Sequence, residues 1–136
     1  MKRRKSVAAA LITCAWLVAC HGTPAGPTDA PLAIGRWTGN GACLAVTDTG
    51  CNLAVGCGHG QFPRPIVRSN GSFDVEGTYR IEVGPVSIDP APQAHFSGAI
   101  TGTRMVLMVL PTSPGLPPQT YSMTQTTAGL CPIPCL

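Results

Sequence analysis

The sequence predicts an all-β fold: one small antiparallel meander barrel of about seven or eight strands, stapled by disulfides. Three observations predict it. All 16 glycines and 14 prolines lie beyond Cys20, and such a density of turn formers argues for many short strands and against long helices. Apolar and polar residues alternate with a period of two, above all from Ser72 to Val83. Five cysteines (Cys43, Cys51, Cys57, Cys131 and Cys135) serve a chain whose large core residues are few, with aromatics at 5%.

The first segment is an address. Lys2, Arg3, Arg4 and Lys5 precede an apolar run from Val7 to Ala19 that only Thr13 interrupts. The run is too short for a membrane-spanning helix, which needs about 20 apolar residues, and has the form of a secretory signal. It ends in Leu17-Val18-Ala19-Cys20, which resembles the lipobox of bacterial lipoproteins at all four positions. The resemblance implies cleavage before Cys20, a diacylglyceryl thioether on its thiol and acylation of the new amino group, such as by palmitate. Two or more acyl chains anchor stably. The implied protein is attached to the cell membrane or outer membrane by its N-terminal lipid, with its domain facing the periplasm or exterior. His21, rather than aspartate, follows the cysteine, which by analogy with Gram-negative sorting permits departure from the inner membrane. Residues 1–19 are thus the signal peptide, 20–33 the lipidated cysteine and a Gly/Pro/Thr-rich flexible tether, and 34–136 the β-barrel-like domain.

Removing the signal changes the charge. Arg36, Arg64, Arg68, Arg80 and Arg104 remain against Asp29, Asp48, Asp74, Glu76, Glu82 and Asp89, and no lysine is left. The balance of −1 offers no basic stripe for nucleic acid and no polybasic membrane patch.

The strands follow in order. Ile34–Gly39 opens the domain. Ala42–Asp48 and Cys51–Gly56 form a hairpin around Thr49-Gly50, with Val46 opposite Leu53 and Leu44 opposite Val55, so that the apolar faces coincide. Ile66–Arg68 pairs with the long strand Ser72–Val83 through Asn70-Gly71, a strong hairpin signal; Asn70-Gly71-Ser72 also fits a glycosylation sequon, but is read as the turn. Along Ser72–Val83, Phe73, Val75, Tyr79 and Ile81 alternate with Asp74, Glu76, Arg80 and Glu82. Ala94–Thr101 and Arg104–Leu110 meet at Thr101-Gly102-Thr103, and Gln119–Gln125 is last. A closed barrel hides the edges of such a meander.

Gly35-Arg36-Trp37 resembles the G-x-W that opens lipocalin- and avidin-type barrels, which implies that Trp37 plugs one barrel end. Those families often pair this tryptophan with a late basic residue; here nothing basic follows Arg104. Over residues 34–136 the chain is more similar to small bacterial lipoproteins of unassigned function. They share Gly35-Arg36-Trp37-Thr38-Gly39, Cys57-Gly58-His59-Gly60, the Gly71–Tyr79 segment with its spaced glycine and aromatic residues, and Cys135-Leu136. That resemblance carries no catalytic residues.

An exported chain sees an oxidising compartment, so disulfides are expected, and five cysteines leave one unpaired. In the preferred register Cys43 and Cys51 face opposite ways. Cys51 and Cys57 share a face but lie about 20 Å apart on an extended strand. Cys131-Pro132-Ile133-Pro134-Cys135, when extended, exceeds the limit of about 7 Å between bonded Cα atoms. The early cysteines therefore bond to the C-terminal pair. The similar lipoproteins carry cysteines at the positions of Cys57 and Cys135, which implies that bond, and Cys131 then takes Cys43 or Cys51.

No metal or other cofactor is expected, because the cysteine and histidine spacings lack zinc knuckles. His59 reads as part of a Gly-rich loop and His95 as a strand start. Asp74, Glu76 and Glu82 read as the solvent side of their strand. No G-x-S-x-G, Walker or H-E-x-x-H motif occurs. The expectation is a non-enzymatic module binding a small apolar ligand or an envelope protein at a barrel mouth or end loop. The alternative is a structural envelope protein with a filled barrel and an outer docking face. An enzyme would require a cleft holding His59 or His95 beside a carboxylate.

Overall fold

A computed structural model describes residues 27–82, 89–127, 130–132 and 135. The segment 1–19 read as a signal peptide, Cys20, the first part of the expected tether and Val83 lie outside the described residues. Ten strands follow in order: β1 (Ala30–Pro31), β2 (Gly35–Gly39), β3 (Ala42–Val46), β4 (Cys51–Val55), β5 (Gly58–Phe62), β6 (Ile66–Val67), β7 (Ser72–Ile81), β8 (Gln93–Thr101), β9 (Arg104–Pro111) and β10 (Gln119–Thr126). Eight of them close a barrel in the order β10-β2-β3-β4-β5-β7-β8-β9, every pairing is antiparallel, and no helix occurs among the described residues. Closure of β10 on β2, with Gln125 opposite Trp37, leaves the barrel no open edge.

The pairings define two ends. At the entry end lie the segment 27–34, the turn after β3, the link 63–71 and the turn after β8. At the far end lie the turns after β2 and β4 and the connections after β7 and β9. Asn40 and Gly41, both at positive φ (50° and 74°), make the two-residue turn from β2 to β3, the geometry that suits the right-handed twist of a hairpin.

Period-two alternation builds the core. Along β9, Met105, Leu107 and Val109 are buried while Arg104, Val106, Met108 and Leu110 face outward. The interior is occupied by Trp37, Leu44, Leu53, Phe73, Phe96 and Met123 with their neighbours, all 2% exposed or less. Phe62 stacks on Phe96 at 4.3 Å, and the Tyr79 and Tyr121 hydroxyls hydrogen-bond each other. Inward-facing glycines make room for the rings. A Cβ on Gly98 would strike the Phe73 ring, one on Gly58 the Tyr79 hydroxyl, and one on Gly60 would press on Phe96.

Four expectations are corrected. First, Gly58–Phe62 is a strand, not a Gly-rich loop, and it places His59 in mid-strand. Its inward positions are Gly58, Gly60 and Phe62, so the alternation is carried mainly by absent side chains.

Second, β7 pairs with β5, whereas β6 pairs with β1. Pro63 and Pro65 carry the chain across the barrel end, and neither can donate to a ladder. The Asn70-Gly71 turn still forms, with Gly71 N–H donating to the Arg68 carbonyl and Arg68 N–H to that of Ser72, both at 2.8 Å. It no longer joins two barrel strands.

Third, β3 and β4 pair with Val46 opposite Cys51 and Leu44 opposite Leu53, two residues from the expected register. The Thr47 N–H donates to the Gly50 carbonyl at 2.9 Å, which centres the turn on Asp48-Thr49 instead of Thr49-Gly50. A two-residue slip preserves the faces, so Cys43 and Cys51 still point opposite ways. Cys57 does not share a strand with Cys51, because it sits in the turn after β4.

Fourth, residues expected in the tether belong to the fold. Ala30–Pro31 pairs with Ile66–Val67, Asp29 accepts a hydrogen bond from the Ser69 N–H, and Leu32 is 1% exposed. This segment caps the entry end.

Candidate functional site

Two disulfides shape the outer surface. Cys43, outward on β3, bonds Cys131, and Cys57 in the turn after β4 bonds Cys135, with Cα separations of 5.5 and 5.0 Å. Cys51 points inward, buried and unpaired. The chain leaves β10 at the entry end and is tied back onto the outside of β3 and then onto the far end. This C-terminal strap roofs a cleft of about 360 Å³ on the barrel's outer face.

The cleft floor is made of small residues, Ala45 on β3 and Ala54 on β4, and Pro132 of the strap closes over it. At its β5–β7 side stand His59, Arg80 and Glu82. Register brings the first two together, since His59 lies directly opposite Arg80 across the β5–β7 ladder. Arg80 Nε donates to Glu82 Oε1 at 2.6 Å, and His59 Nδ1 is 4.0 Å from the same oxygen. The side chains are 21%, 20% and 18% exposed for His59, Arg80 and Glu82, so the trio is largely withdrawn from water.

Burial lowers the His59 pKa from its ordinary value, Arg80 lowers it further, and Glu82 opposes both. Near neutral pH the imidazole is therefore uncharged beside an Arg–carboxylate pair. The cleft thus offers apolar walls, a neutral ring nitrogen and the remaining guanidinium N–H groups. Its lining contains no hydroxyl, and its one cysteine, Cys131, is bonded.

The other candidate residues are dispersed. Asp74, Glu76 and Glu82 share the outer face but take different partners. Arg68 pairs with Asp74, His95 with Glu76 at 2.6 Å on the open surface, and Arg80 with Glu82. The Arg68 guanidinium holds the Asp74 carboxyl below its ordinary pKa. Cys51 is 2% exposed, and burial pushes its thiol up to about 12 against a smaller opposing effect of Arg64. Among the described residues no three His, Cys, Asp or Glu side chains converge as a metal-binding group.

Sequence reasoning missed Arg80 as a site residue and missed Ala45 and Ala54 altogether. A signal existed: the outward positions of β3 and β4 carry, besides Asn52, the small residues Cys43, Ala45 and Ala54 where a solvent face would carry charge. An enzyme was tied to histidine beside a carboxylate in a cleft, and His59 does stand beside Glu82. The 4.0 Å gap exceeds a hydrogen bond, and Glu82 is bonded to Arg80 instead.

A second feature of the outer surface is the stripe Val106, Met108 and Leu110 on β9, 47%, 42% and 44% exposed. Ala99 and Ser97 on β8 and Ser122 and Thr120 on β10 flank it in register. No family model, curated protein or solved structure matches the chain.

Proposed function

We propose that the protein is a lipid-anchored, non-enzymatic binding module of the bacterial cell envelope, and that its ligand occupies the strapped cleft. The lipobox-like Leu17-Val18-Ala19-Cys20 supports the anchor. The observation that carries the binding function is the cleft itself. Its volume of about 360 Å³ falls within the range of small-molecule sites, which combine apolar walls with a few fixed polar groups. Since side chains occupy the barrel interior, the outer cleft is a better ligand site than the barrel mouth. The ligand class is a small, mainly apolar molecule with one hydrogen-bonding end, directed at His59 and Arg80.

Native mass spectrometry of protein purified from its membranes is expected to show a retained small molecule. Ala45→Phe, which fills the cleft from the outer face of β3, should abolish retention without unfolding the domain. Retention undiminished in a folded Ala45→Phe variant, or no retained ligand in the parent, counts against this function.

A second reading, a structural protein docking on a larger envelope assembly, is favoured by the β9 stripe. Partner capture lost on Val106→Ser/Met108→Ser, with cleft variants silent, would establish it over the first.

A further inference from the structure

We propose that the barrel stands end-on on the lipid bilayer, with the entry end down and Ile34 and Ile66 seated among the acyl chains beneath the headgroups. The proposal deepens the lipid-anchor reading of Cys20 and rests on it for the membrane's presence.

Two large apolar side chains are exposed on the cap of the entry end: Ile34 at 58% and Ile66 at 55%. They are placed there by the cap's construction. Val67 packs against the core while Ile66, its neighbour on β6, is exposed, and Leu32 plugs the barrel while Ile34, two residues on, is exposed. Ala30 and Pro31 beside them are also exposed. Exposed apolar groups on a small cap have a natural place in hydrocarbon.

Charge agrees with this orientation. Arg36 and Arg104 begin their strands at the entry end, and Arg64 and Arg68 flank β6. Asp29, Asp48 and Asp74 lie at the same end, so arginine is in excess there. At the far end Arg80 pairs with Glu82, and Asp89 in the connection after β7 adds a second acid, so the excess is acidic among the described residues. Long arginine side chains can lay their stems along an apolar cap and reach phosphates with their heads. Without residues 1–19 the composition shows only a net charge of −1; the fold leaves a surplus of one arginine at the entry end and of one acid at the far end among the described residues.

The chain outside the described residues leaves from this same end. Pro27 is seven residues from Cys20, and covalent geometry limits that span to about 25 Å. A lipid on Cys20 therefore holds the entry end close to the membrane surface. The β9 stripe then stands along the barrel wall, facing neighbours in the plane of the membrane.

The test places a nitroxide at Ile34→Cys or, separately, at Met108→Cys in the lipidated protein in vesicles of phosphatidylglycerol and phosphatidylcholine. Cys51 is buried and does not compete for the label. The label at 34 should be relaxed by oxygen and shielded from a water-soluble nickel complex, and that at 108 the reverse. Lipid exposure at 108 with water exposure at 34, or water exposure at both, overturns the proposal.

A lipid-free chain without residues 1–19 and carrying Cys20→Ser, added to the same vesicles, separates the two readings. Its weak binding should fall about tenfold for each of Ile34→Ser and Ile66→Ser, the size expected for half-burying an isoleucine. Val106→Ser should leave it unchanged. If the parent chain fails to float with membranes while this dependence on Ile34 and Ile66 persists, the anchor reading fails and the end-on surface stands. If the parent floats but the dependence is absent, the surface fails and the anchor stands.

Discussion

Removing the Cys43–Cys131 disulfide tests how the strap stabilises the domain. Taken alone, closing the 78-residue interval between Cys57 and Cys135 contributes about 4.5 kcal/mol by loss of unfolded-chain entropy, and the 88-residue interval between Cys43 and Cys131 about 4.6 kcal/mol. The two bonds are not independent. With Cys57–Cys135 in place, Cys43–Cys131 closes only the ring made by residues 43–57 and 131–135, about 18 residues, which is worth about 3.2 kcal/mol. Cys43→Ala/Cys131→Ala should therefore cost about 3 kcal/mol and lower Tm by roughly 13–25 °C for a domain of this size. The reciprocal pair should cost the same. Removing all four cysteines should cost about 7.7 kcal/mol, more than the two single-pair losses combined, and enough to unfold many domains of about 100 residues. Urea titration followed by the fluorescence of Trp37, in a chain without residues 1–19, reads these differences. A single-pair cost below about 1.5 kcal/mol, or a fourfold cost smaller than the two pair costs together, would refute the reasoning.

Gly98→Ala should destabilise the barrel by about 2–4 kcal/mol, since its methyl group would meet the ring of the 1%-exposed Phe73; wild-type thermal stability would contradict the packing described. The His59 pKa is lowered by folding, so the unfolded state takes up a proton first as pH falls below the ordinary histidine value of 6.5. Stability should accordingly decline from that pH until the folded-state pKa is passed, and then level off. His59→Gln should remove this slope, and an unchanged pH profile of Tm in that variant would assign the effect elsewhere. Cys51, with its thiol pushed up to about 12, should resist alkylation in the native protein and, in a chain without residues 1–20, yield one reactive thiol in urea under non-reducing conditions; rapid native labelling would show that the interior is open.

The barrel was legible wherever side chains marked its faces. β7 and β9 alternate visibly, and β10, β8 and β2 lie within a residue of their expected bounds. β5 was hidden because Gly58 and Gly60 occupy its inward positions and rings from β7 and β8 fill the space they leave. A glycine that accommodates a ring cannot be told from a turn glycine by sequence order alone. The β3–β4 slip was hidden for another reason: registers two residues apart present the same faces, and the Thr47 turn decides between them. The disulfides were partly accessible, since an exclusion argument and a resemblance pointed to Cys57–Cys135. The choice between Cys43 and Cys51 for Cys131 depended on which face the strap covers. The cleft is a product of that tertiary path, and only Ala45 and Ala54 hinted at it.

On the proposed export of the chain, the long intervals spanned by the two disulfides set an order of events. A chain that crosses a membrane N-terminus first delivers Cys43, Cys51 and Cys57 well before either native partner. Three thiols then face the oxidising machinery with only one another to bond, and every bond among them is wrong. Withdrawal of Cys51, at the start of β4, into the barrel interior removes one of them from exchange, but it requires a core to which β8, β9 and β10 contribute later. On that reading correct oxidation is a late step, and the yield of this protein should depend on an isomerase rather than on an oxidase alone.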